Sequence, residues 1–218
     1  PPAPKAGSFI LALSWQPAFC EVNRRKAECR DQTPGRPDAS GFSLHGLWPQ
    51  PRDNVYCGVD ARTRELDREG NWTALPAPAL RPATRERLAA LMPGIRSGLD
   101  RHEWINHGTC YGTDAETYFA HALDLLDQVN ASPVRDLFAA NRGKHLSSSQ
   151  IRAAFDTAFG RGSGERVRLV CAEGMIGELR LSLKGETGDG ARIAQLMQAA
   201  PMLSPRCRGG RVDEAGFQ

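Results

Sequence analysis

Cysteine usage is the feature that most restricts how this chain can fold. The 218-residue sequence contains six cysteines, and no two of them form a CxxC pair. They are Cys20, Cys29, Cys57, Cys110, Cys171 and Cys207. Without CxxC, a zinc site made of cysteines alone and a redox-active dithiol are both disfavoured. We therefore expect three disulfides, which are typical of exported proteins, although the number of cysteines leaves their pairing open.

Length and hydropathy favour one exported domain. We expect a single domain over residues 1–218, with the proline-rich stretch 1–7 flexible. The longest apolar stretch near the N-terminus, residues 9–15, is too short for a membrane span or for a secretory signal. The sequence thus predicts no membrane partner and a secreted or periplasmic protein whose targeting peptide is absent from this chain. The net charge of +3 tolerates an anionic partner but does not require one.

Strand-like and helix-like segments are mixed along the chain. Predicted strands cover 8–14, 41–47, 166–171 and 176–183, with the last two joined by a hairpin at Glu173-Gly174. Predicted helices cover 84–92, 99–107, 113–130, 134–140, 148–159 and 193–199, and Thr113 and Glu116 form a candidate capping box. Residues 16–40 are expected to be a surface excursion and residues 50–82 a long loop. Because no βαβ regularity is present, the predicted fold class is α+β.

The first segment with candidate chemistry is FSLHGLWP at residues 42–49. A glycine in a strand lets another group approach the backbone closely, so Gly46 could place His45 beside a cleft. Taken alone this signal is weak, because a histidine in an apolar strand is more often a core residue.

The second segment is HEWINHGTC at residues 102–110. In a helix, Glu103 and His107 lie one turn apart on the same face, with His102 and Asn106 stacked beside them. A zinc protease motif needs histidines four positions apart, whereas His102 and His107 are five apart and diverge by roughly 140°. We therefore reject a shared metal and expect no metal site here.

Two imidazoles and a carboxylate suit proton transfer at phosphorus. RNA carries its own nucleophile, the ribose 2′-hydroxyl, so a neutral histidine can remove its proton while a protonated histidine donates one to the leaving 5′-oxygen. A carboxylate nearby can orient an imidazole and raise its pKa. Exposed aromatic rings can stack unpaired bases.

Both segments, in this order and at this separation, resemble the two active-site segments of the ribonuclease T2 family. The stretch LALSWQPAFC at residues 11–20 is similar to the first strand of its bacterial periplasmic members. The tail from Val167 to Cys207 also fits. The resemblance implies an α+β fold with a central antiparallel sheet packed with several helices. It also implies metal-independent, cofactor-free cleavage of single-stranded RNA through a 2′,3′-cyclic phosphate to 3′-phosphates, and we expect a monomer.

The resemblance also assigns roles by position. His107 would be the general base and His45 the general acid, while Glu103 and His102 would bind and polarise the phosphate. Trp48, with Tyr56, would form the site for the base on the 5′ side of the cleaved bond. Cys57–Cys110 and Cys171–Cys207 match disulfides of the family, and Cys20–Cys29 is the remaining pair.

Two positions depart from the family pattern. Asn106 stands where the family usually has a lysine that helps to neutralise the phosphate; it can still donate a hydrogen bond there, but without a charge. Gln50 stands where many members have an acidic base-binding residue, so it is a candidate base ligand for which no base preference follows.

Three functions remain in competition. The leading one is an exported endoribonuclease. The second is a catalytically weak or inactive RNA-binding protein on the same scaffold, motivated by Asn106. A metal-dependent phosphodiesterase is the third, and it would need clustered carboxylates that the sequence does not contain.

Overall fold

A computed structural model describes residues 5–217 of the chain. The strands of this described part are β1 (Lys5–Ser14), β2 (Ser43–Pro49), β3 (His145–Ser147), β4 (Val167–Ala172), β5 (Met175–Thr187) and β6 (Gly209–Arg211). Its helices are α1 (Gln16–Val22), α2 (Ala61–Arg68), α3 (Pro82–Leu91), α4 (Leu99–Asn106), α5 (Ala115–Asn130), α6 (Pro133–Ala140), α7 (Ser148–Phe159) and α8 (Ile193–Gln198). None of these helices is long and apolar enough to cross a membrane.

The strands form one sheet in the order β2-β1-β5-β6-β3. Strand β4 also pairs with β5. Leu181 of β5 has a partner on β1 and another on β4, so β4 lies on the side of β5 opposite to β1. All pairings are antiparallel except a single parallel contact between β5 and β6. The predicted α+β class with a central antiparallel sheet and several helices is therefore confirmed.

Strand β1 lies at the centre of the sheet and is buried on both faces. Leu11, Ala12 and Leu13 are all fully inaccessible to solvent, which fits an apolar run without strict alternation. The longest helix, α5, covers the sheet with an apolar stripe, and α6 and α7 contribute further aromatic residues to the same core. The strands near the site are therefore held by packing on both sides.

Helix α5 begins differently from the sequence prediction. The N-cap is Asp114, whose carboxylate accepts a hydrogen bond from the backbone N–H of Thr117 at 2.8 Å. The predicted capping box of Thr113 and Glu116 is wrong. The Glu116 carboxylate is engaged elsewhere, because it accepts hydrogen bonds from Thr84 and from a backbone N–H at the start of α3.

Two segments predicted to lack regular structure contain helices. Residues 16–40 include α1, in which Gln16, Pro17, Ala18 and Cys20 are buried. Residues 50–82 include α2 and a 3-10 turn at Trp72–Ala74. Helix α2 has the sequence ARTRELDR, which carries almost no apolar stripe for a periodicity argument to detect. Its N-cap Asp60 accepts a hydrogen bond from the N–H of Thr63 and stabilises the first turn.

The predicted flexible stretch lies partly outside the described residues. Residues 5–7 belong to β1 and pair with residues 185–187 of β5. The partner strand β5 runs further than its apolar pattern suggests. Strands β3 and β6 were missed because each is only three residues long.

Three disulfides link Cys20 to Cys29, Cys57 to Cys110 and Cys171 to Cys207. The family resemblance implied two of these pairs, Cys57–Cys110 and Cys171–Cys207, and Cys20–Cys29 is the remaining pair. The Cys57–Cys110 bond ties the residues after α4 to the segment before α2, across a separation of 53 residues. It therefore holds together two segments that flank the candidate site.

We expect the Cys57–Cys110 disulfide to contribute more stability than Cys20–Cys29. In the chain-entropy model a separation of 53 residues is worth about 4 kcal/mol and a separation of 9 residues about 2.5 kcal/mol. The measurement is the urea-unfolding free energy of the two double Cys→Ala variants. An equal or greater loss for the Cys20–Cys29 variant would contradict the prediction.

Candidate active site

The candidate site lies where β2 faces helix α4. Strand β2 supplies His45 and Trp48, and α4 supplies His102 and Glu103, with His107 at its C-terminal end. The ring centroids of His45 and Trp48 are 5.2 Å apart, and those of Trp48 and His107 are 5.4 Å apart. The His102 and His107 rings are 6.3 Å apart. The two sequence segments therefore meet as predicted.

A β-bulge presents His45. In the pairing of β1 with β2, Ala12 lies opposite Gly46 and Leu13 lies opposite Leu44, so His45 is the extra residue. Bulges of this kind redirect a side chain out of the regular alternation of a strand. His45 is consequently half-buried, between fully buried neighbours on β2.

Glu103 joins the two segments. It is fully buried, and its Oε2 accepts a hydrogen bond from Trp48 Nε1 at 2.8 Å while its Oε1 lies 3.4 Å from His45 Nε2. Burial raises the pKa of the Glu103 carboxyl, and the nearby positive charges of His45 and His102 oppose this only in part. This carboxyl therefore retains its proton to higher pH than an exposed glutamate.

Gly46 makes this contact possible. A Cβ at this position would overlap the carboxylate of Glu103 and lie 2.6 Å from Trp48 Nε1. The absence of a side chain at residue 46 thus creates the space that Glu103 occupies. The sequence suggested that a ligand or a backbone segment approaches Gly46; in the structure the approaching group is a side chain from α4.

His45 has a second acidic partner that the sequence analysis missed. Its Nδ1 lies 2.5 Å from Oε2 of Glu178 on β5, and the other Glu178 oxygen accepts a hydrogen bond from Arg180 Nε at 2.6 Å. Burial alone would lower the pKa of His45, but the hydrogen bond to Glu178 and the charge of that carboxylate oppose this, and the pKa is raised overall. The protonated form of His45 is therefore favoured.

His107 has the opposite electrostatic environment. Its Nδ1 is buried and has no hydrogen-bond partner among the residues that the structure describes. Burial, together with the positive charges of His102 and His45, lowers the pKa of His107 to about 3. His107 is therefore neutral at the pH where His45 is protonated. Two titratable groups whose pKa values are pushed apart in this way are suited to acid and base roles.

His102 rests on a buried network. Its Nδ1 lies 2.6 Å from Oδ1 of Asp67, a buried residue of α2. The other Asp67 oxygen accepts hydrogen bonds from the Tyr56 hydroxyl at 2.7 Å and from the Asn106 amide at 3.4 Å. The indole of Trp72 stacks on the His102 ring at 4.2 Å. Asp67 and Trp72 were missed because both lie in the segment predicted to be a loop.

Tyr56 and Asn106 therefore hold the Asp67 carboxylate, which in turn contacts His102. Tyr56 is only 8% exposed, and the Asn106 amide also donates to its hydroxyl at 3.1 Å.

Gln50 is half-buried beside Trp48, and its amide donates to the backbone carbonyl of Trp48 at 3.2 Å. The guanidinium of Arg180 lies 5.0 Å from the centre of the Trp48 ring. Among residues 5–217, no group of three or more histidine, cysteine or acidic side chains is arranged to hold a metal ion.

A Gly46→Ala substitution tests whether the site is built around the missing side chain. We expect it to lower the free energy of unfolding by roughly 1–3 kcal/mol, the usual cost of overpacking a buried position. The matched control is Gly177→Ala on β5, where an added Cβ meets only the carbonyl oxygen of Val170, at 3.7 Å. Urea unfolding measures both variants. Equal stability of the two would show that Glu103 moves aside without cost.

Comparison with known proteins shows which family this chain resembles. Residues 6–188 match the family described as the Ribonuclease T2 family. "Ribonuclease I" of Escherichia coli is 30% identical over an alignment that covers 96% of this chain and 87% of that protein. A "Ribonuclease" of Aeromonas hydrophila is 36% identical, but the alignment covers 56% of this chain and 46% of that protein. "Extracellular ribonuclease LE" of Solanum lycopersicum is 29% identical over 70% of this chain and 64% of that protein.

Solved structures agree on the fold. A mutant of RNase MC1 in complex with 5′-UMP superposes with a TM-score of 0.58 at 17% identity, covering 95% of this chain and 98% of that one. The SF11-RNase of Nicotiana alata gives the same TM-score at 17% identity, covering 96% and 97% of the two chains. With a family match over most of its length and a relative at 30% identity, the chain belongs to the ribonuclease T2 family.

Proposed function

We propose that this chain is a metal-independent endoribonuclease in which His107 is the general base and His45 the general acid. The observation that carries the proposal is the meeting of the two imidazoles around Trp48 and Glu103, with pKa shifts of opposite sign. A base must be neutral and an acid must be protonated at the same pH, and these environments favour that combination.

The reaction then proceeds in two steps. His107 removes the proton of the ribose 2′-hydroxyl, the 2′-oxygen bonds to phosphorus, and the bond from phosphorus to the 5′-oxygen breaks. His45 gives its proton to that leaving oxygen, which releases a 2′,3′-cyclic phosphate. In the second step the roles reverse: His45 takes a proton from water, the hydroxide opens the ring, and His107 returns its proton to the 2′-oxygen.

Glu103 and His102 are proposed to bind the phosphate as negative charge develops on its oxygens. An ionised carboxylate would repel that charge, whereas a protonated carboxyl donates a hydrogen bond to it. The raised pKa of Glu103 favours the protonated form. His102 would donate from Nε2, because its Nδ1 is engaged with Asp67.

We propose that Trp48 supplies the stacking surface for a base, with the Gln50 amide at its edge. Stacking on an aromatic ring tolerates any base, so we assign no base preference. Tyr56 is buried with its hydroxyl on Asp67, so we propose that it contributes by supporting His102. The Asn106 amide, which donates to the same network, is proposed to reach phosphate only through His102.

The rest of the biological setting is also proposed. Three disulfides favour an oxidising compartment, and one of the relatives is named as an extracellular ribonuclease. We therefore propose a secreted or periplasmic protein that acts on single-stranded RNA. We further propose that it works as one domain and as a monomer.

A non-catalytic RNA-binding protein is the second candidate, favoured by the uncharged Asn106. Binding alone would not need a cation at that position, whereas catalysis benefits from one. Incubation with single-stranded RNA in EDTA separates the two functions. Formation of 2′,3′-cyclic phosphate ends supports the enzyme. Their absence at every pH, with RNA still bound, supports the binding protein.

The acid and base roles predict different responses to the leaving group. A uridine 3′-phosphodiester with a p-nitrophenoxide leaving group needs little protonation, unlike a dinucleotide with an alkoxide leaving group. We expect His45→Ala to lower kcat/KM by roughly 100-fold or more on the dinucleotide but far less on the activated ester. His107→Ala should impair both substrates by similar factors, and all rates should be insensitive to EDTA.

The control for this experiment is His145→Ala, because His145 is exposed on β3. It should leave both rates unchanged. Full activity of the His45→Ala, His107→Ala double variant would refute the proposed function. A His45→Ala defect of equal size on both substrates would refute its role as the acid.

The pKa shifts predict a broad pH profile for kcat/KM, which reports the ionisations of the free enzyme. Activity is lost as pH rises through the raised pKa of His45, so the basic limb should lie above pH 6.5. Protonation of His107 should remove activity only near pH 3. Because Glu103 also titrates, the profile of Glu103→Gln isolates the two histidines. A basic limb below pH 6.5 would contradict the assignment.

A further inference from the structure

Glu178 is a buried acid on strand β5, in the row of alternate residues that also carries Arg180 and Ser182. It is 8% exposed on β5, next to the fully buried Leu179. An ionised carboxylate at such a position is costly unless it is paired. The position of Glu178 therefore invites a functional explanation.

The sheet register brings Glu178 to His45. Ser14 of β1 pairs with Glu178 on one side and with Ser43 on the other, so Glu178 and the bulged part of β2 lie in adjoining rows. His45, the extra residue of the bulge, extends across β1, and the His45 Nδ1 atom lies 2.5 Å from a Glu178 oxygen. The bulge and the acid thus act together on one side chain.

This contact decides which nitrogen of His45 is available for chemistry. An ionised carboxylate has no proton to donate, so Nδ1 must be the donor of the hydrogen bond to Glu178. Nε2 is then the nitrogen that faces the site, where it lies 3.4 Å from Glu103 Oε1. Rotation of the ring would break the Glu178 bond, so the orientation of Nε2 is fixed by it.

Arg180 holds the acid in turn. It lies two residues further along β5 and donates from Nε to Glu178 Oε1 at 2.6 Å. Its side chain is 35% exposed and lies over Trp48. Burial alone would raise the pKa of Glu178, but the hydrogen bonds from His45 and Arg180 outweigh it and lower the pKa. Glu178 therefore stays ionised.

We propose that Glu178 is the positioning residue of the general acid, and that Arg180 orients Glu178 through its hydrogen bond. The proposal rests on the proposed function, since it assigns His45 the acid role. Glu178 does not touch substrate in this arrangement. It acts by fixing the ring so that the Nε2 proton points towards the leaving 5′-oxygen, and by stabilising the imidazolium that donates that proton.

The charged groups that face His45 come from two elements and act in opposite directions. Glu178 and Arg180 face it from β5, while Glu103 faces it from α4 and His107 from the C-terminal end of that helix. Removal of the Glu178 charge should lower the pKa of His45, because a favourable charge is lost. Removal of the Arg180 charge should raise that pKa, because an unfavourable charge is lost.

The experiment compares Glu178→Gln, Arg180→Gln and the control Glu186→Gln, which changes an exposed acid on the same strand. The first readout is the His45 titration, followed by NMR on protein with labelled histidine, which does not depend on activity. The second is the pH profile of kcat/KM on a dinucleotide and on the p-nitrophenyl ester. Urea unfolding reports whether each variant is folded.

We expect the basic limb and the His45 titration to move to lower pH in Glu178→Gln and to higher pH in Arg180→Gln. Glu178→Gln should lower kcat/KM by roughly 10- to 100-fold on the dinucleotide and by less than about 3-fold on the activated ester. Glu186→Gln should change neither. A merely structural role cannot produce shifts of opposite sign or a defect that depends on the leaving group.

Unchanged His45 titration in Glu178→Gln would overturn the proposal, and so would a defect of equal size on both substrates. If Glu178→Gln does not fold, Arg180→Gln decides the outcome through the direction of its shift. These results are separable from the proposed function, which is tested by the His45→Ala, His107→Ala double variant and by the formation of 2′,3′-cyclic phosphate ends.

Discussion

The hydrogen bond from Trp48 to the buried carboxyl of Glu103 is the contact on which the site depends. It joins β2 to α4 at a point where Gly46 leaves room for the carboxyl. Both proposed proton-transfer residues are placed relative to this bond, since His45 precedes Trp48 by three residues and His107 follows Glu103 by one helical turn. The Cys57–Cys110 bond secures the far end of the same helix.

The three imidazoles of the site differ in what their Nδ1 atoms contact. Nδ1 of His45 meets Glu178 and Nδ1 of His102 meets Asp67, whereas Nδ1 of His107 is buried without a hydrogen-bond partner among the described residues. A carboxylate on one nitrogen favours the protonated ring, and burial without a partner favours the neutral ring. Of the two proposed proton-transfer residues, His45 has a carboxylate at Nδ1 and His107 has no hydrogen-bond partner there among the described residues, which matches the roles of acid and base.

The sequence predicts some parts of this arrangement well and others not at all. His45, Glu103 and His107 could be found because each lies in a local pattern, a strand ended by glycine or a helix with a one-turn repeat. Glu178 and Asp67 could not, because each meets its histidine only through tertiary structure. Glu178 is brought to His45 by the pairing of three strands.

The same distinction explains the successes and errors in the fold. The long helix α5 has a regular apolar stripe and was predicted within two residues at its start. Helix α2 is polar on nearly every side, so only its cap and its packing against α4 define it. Its omission mattered for the site, because α2 carries Asp67, on which His102 rests.

Residue 106 shows why a site cannot be judged from a single motif position. Asn106 lacks the charge of the usual lysine, but its amide donates to Asp67 and to the Tyr56 hydroxyl. Burial alone would raise the pKa of Asp67, yet its hydrogen bonds from His102 and Tyr56 lower it. A lysine here would compete with His102 for the Asp67 carboxylate, because both are cationic donors. An asparagine leaves His102 Nδ1, at 2.6 Å, as the nearest partner of that acid, so the substitution acts on the support of His102 and leaves the pairing of His45 with Glu178 intact.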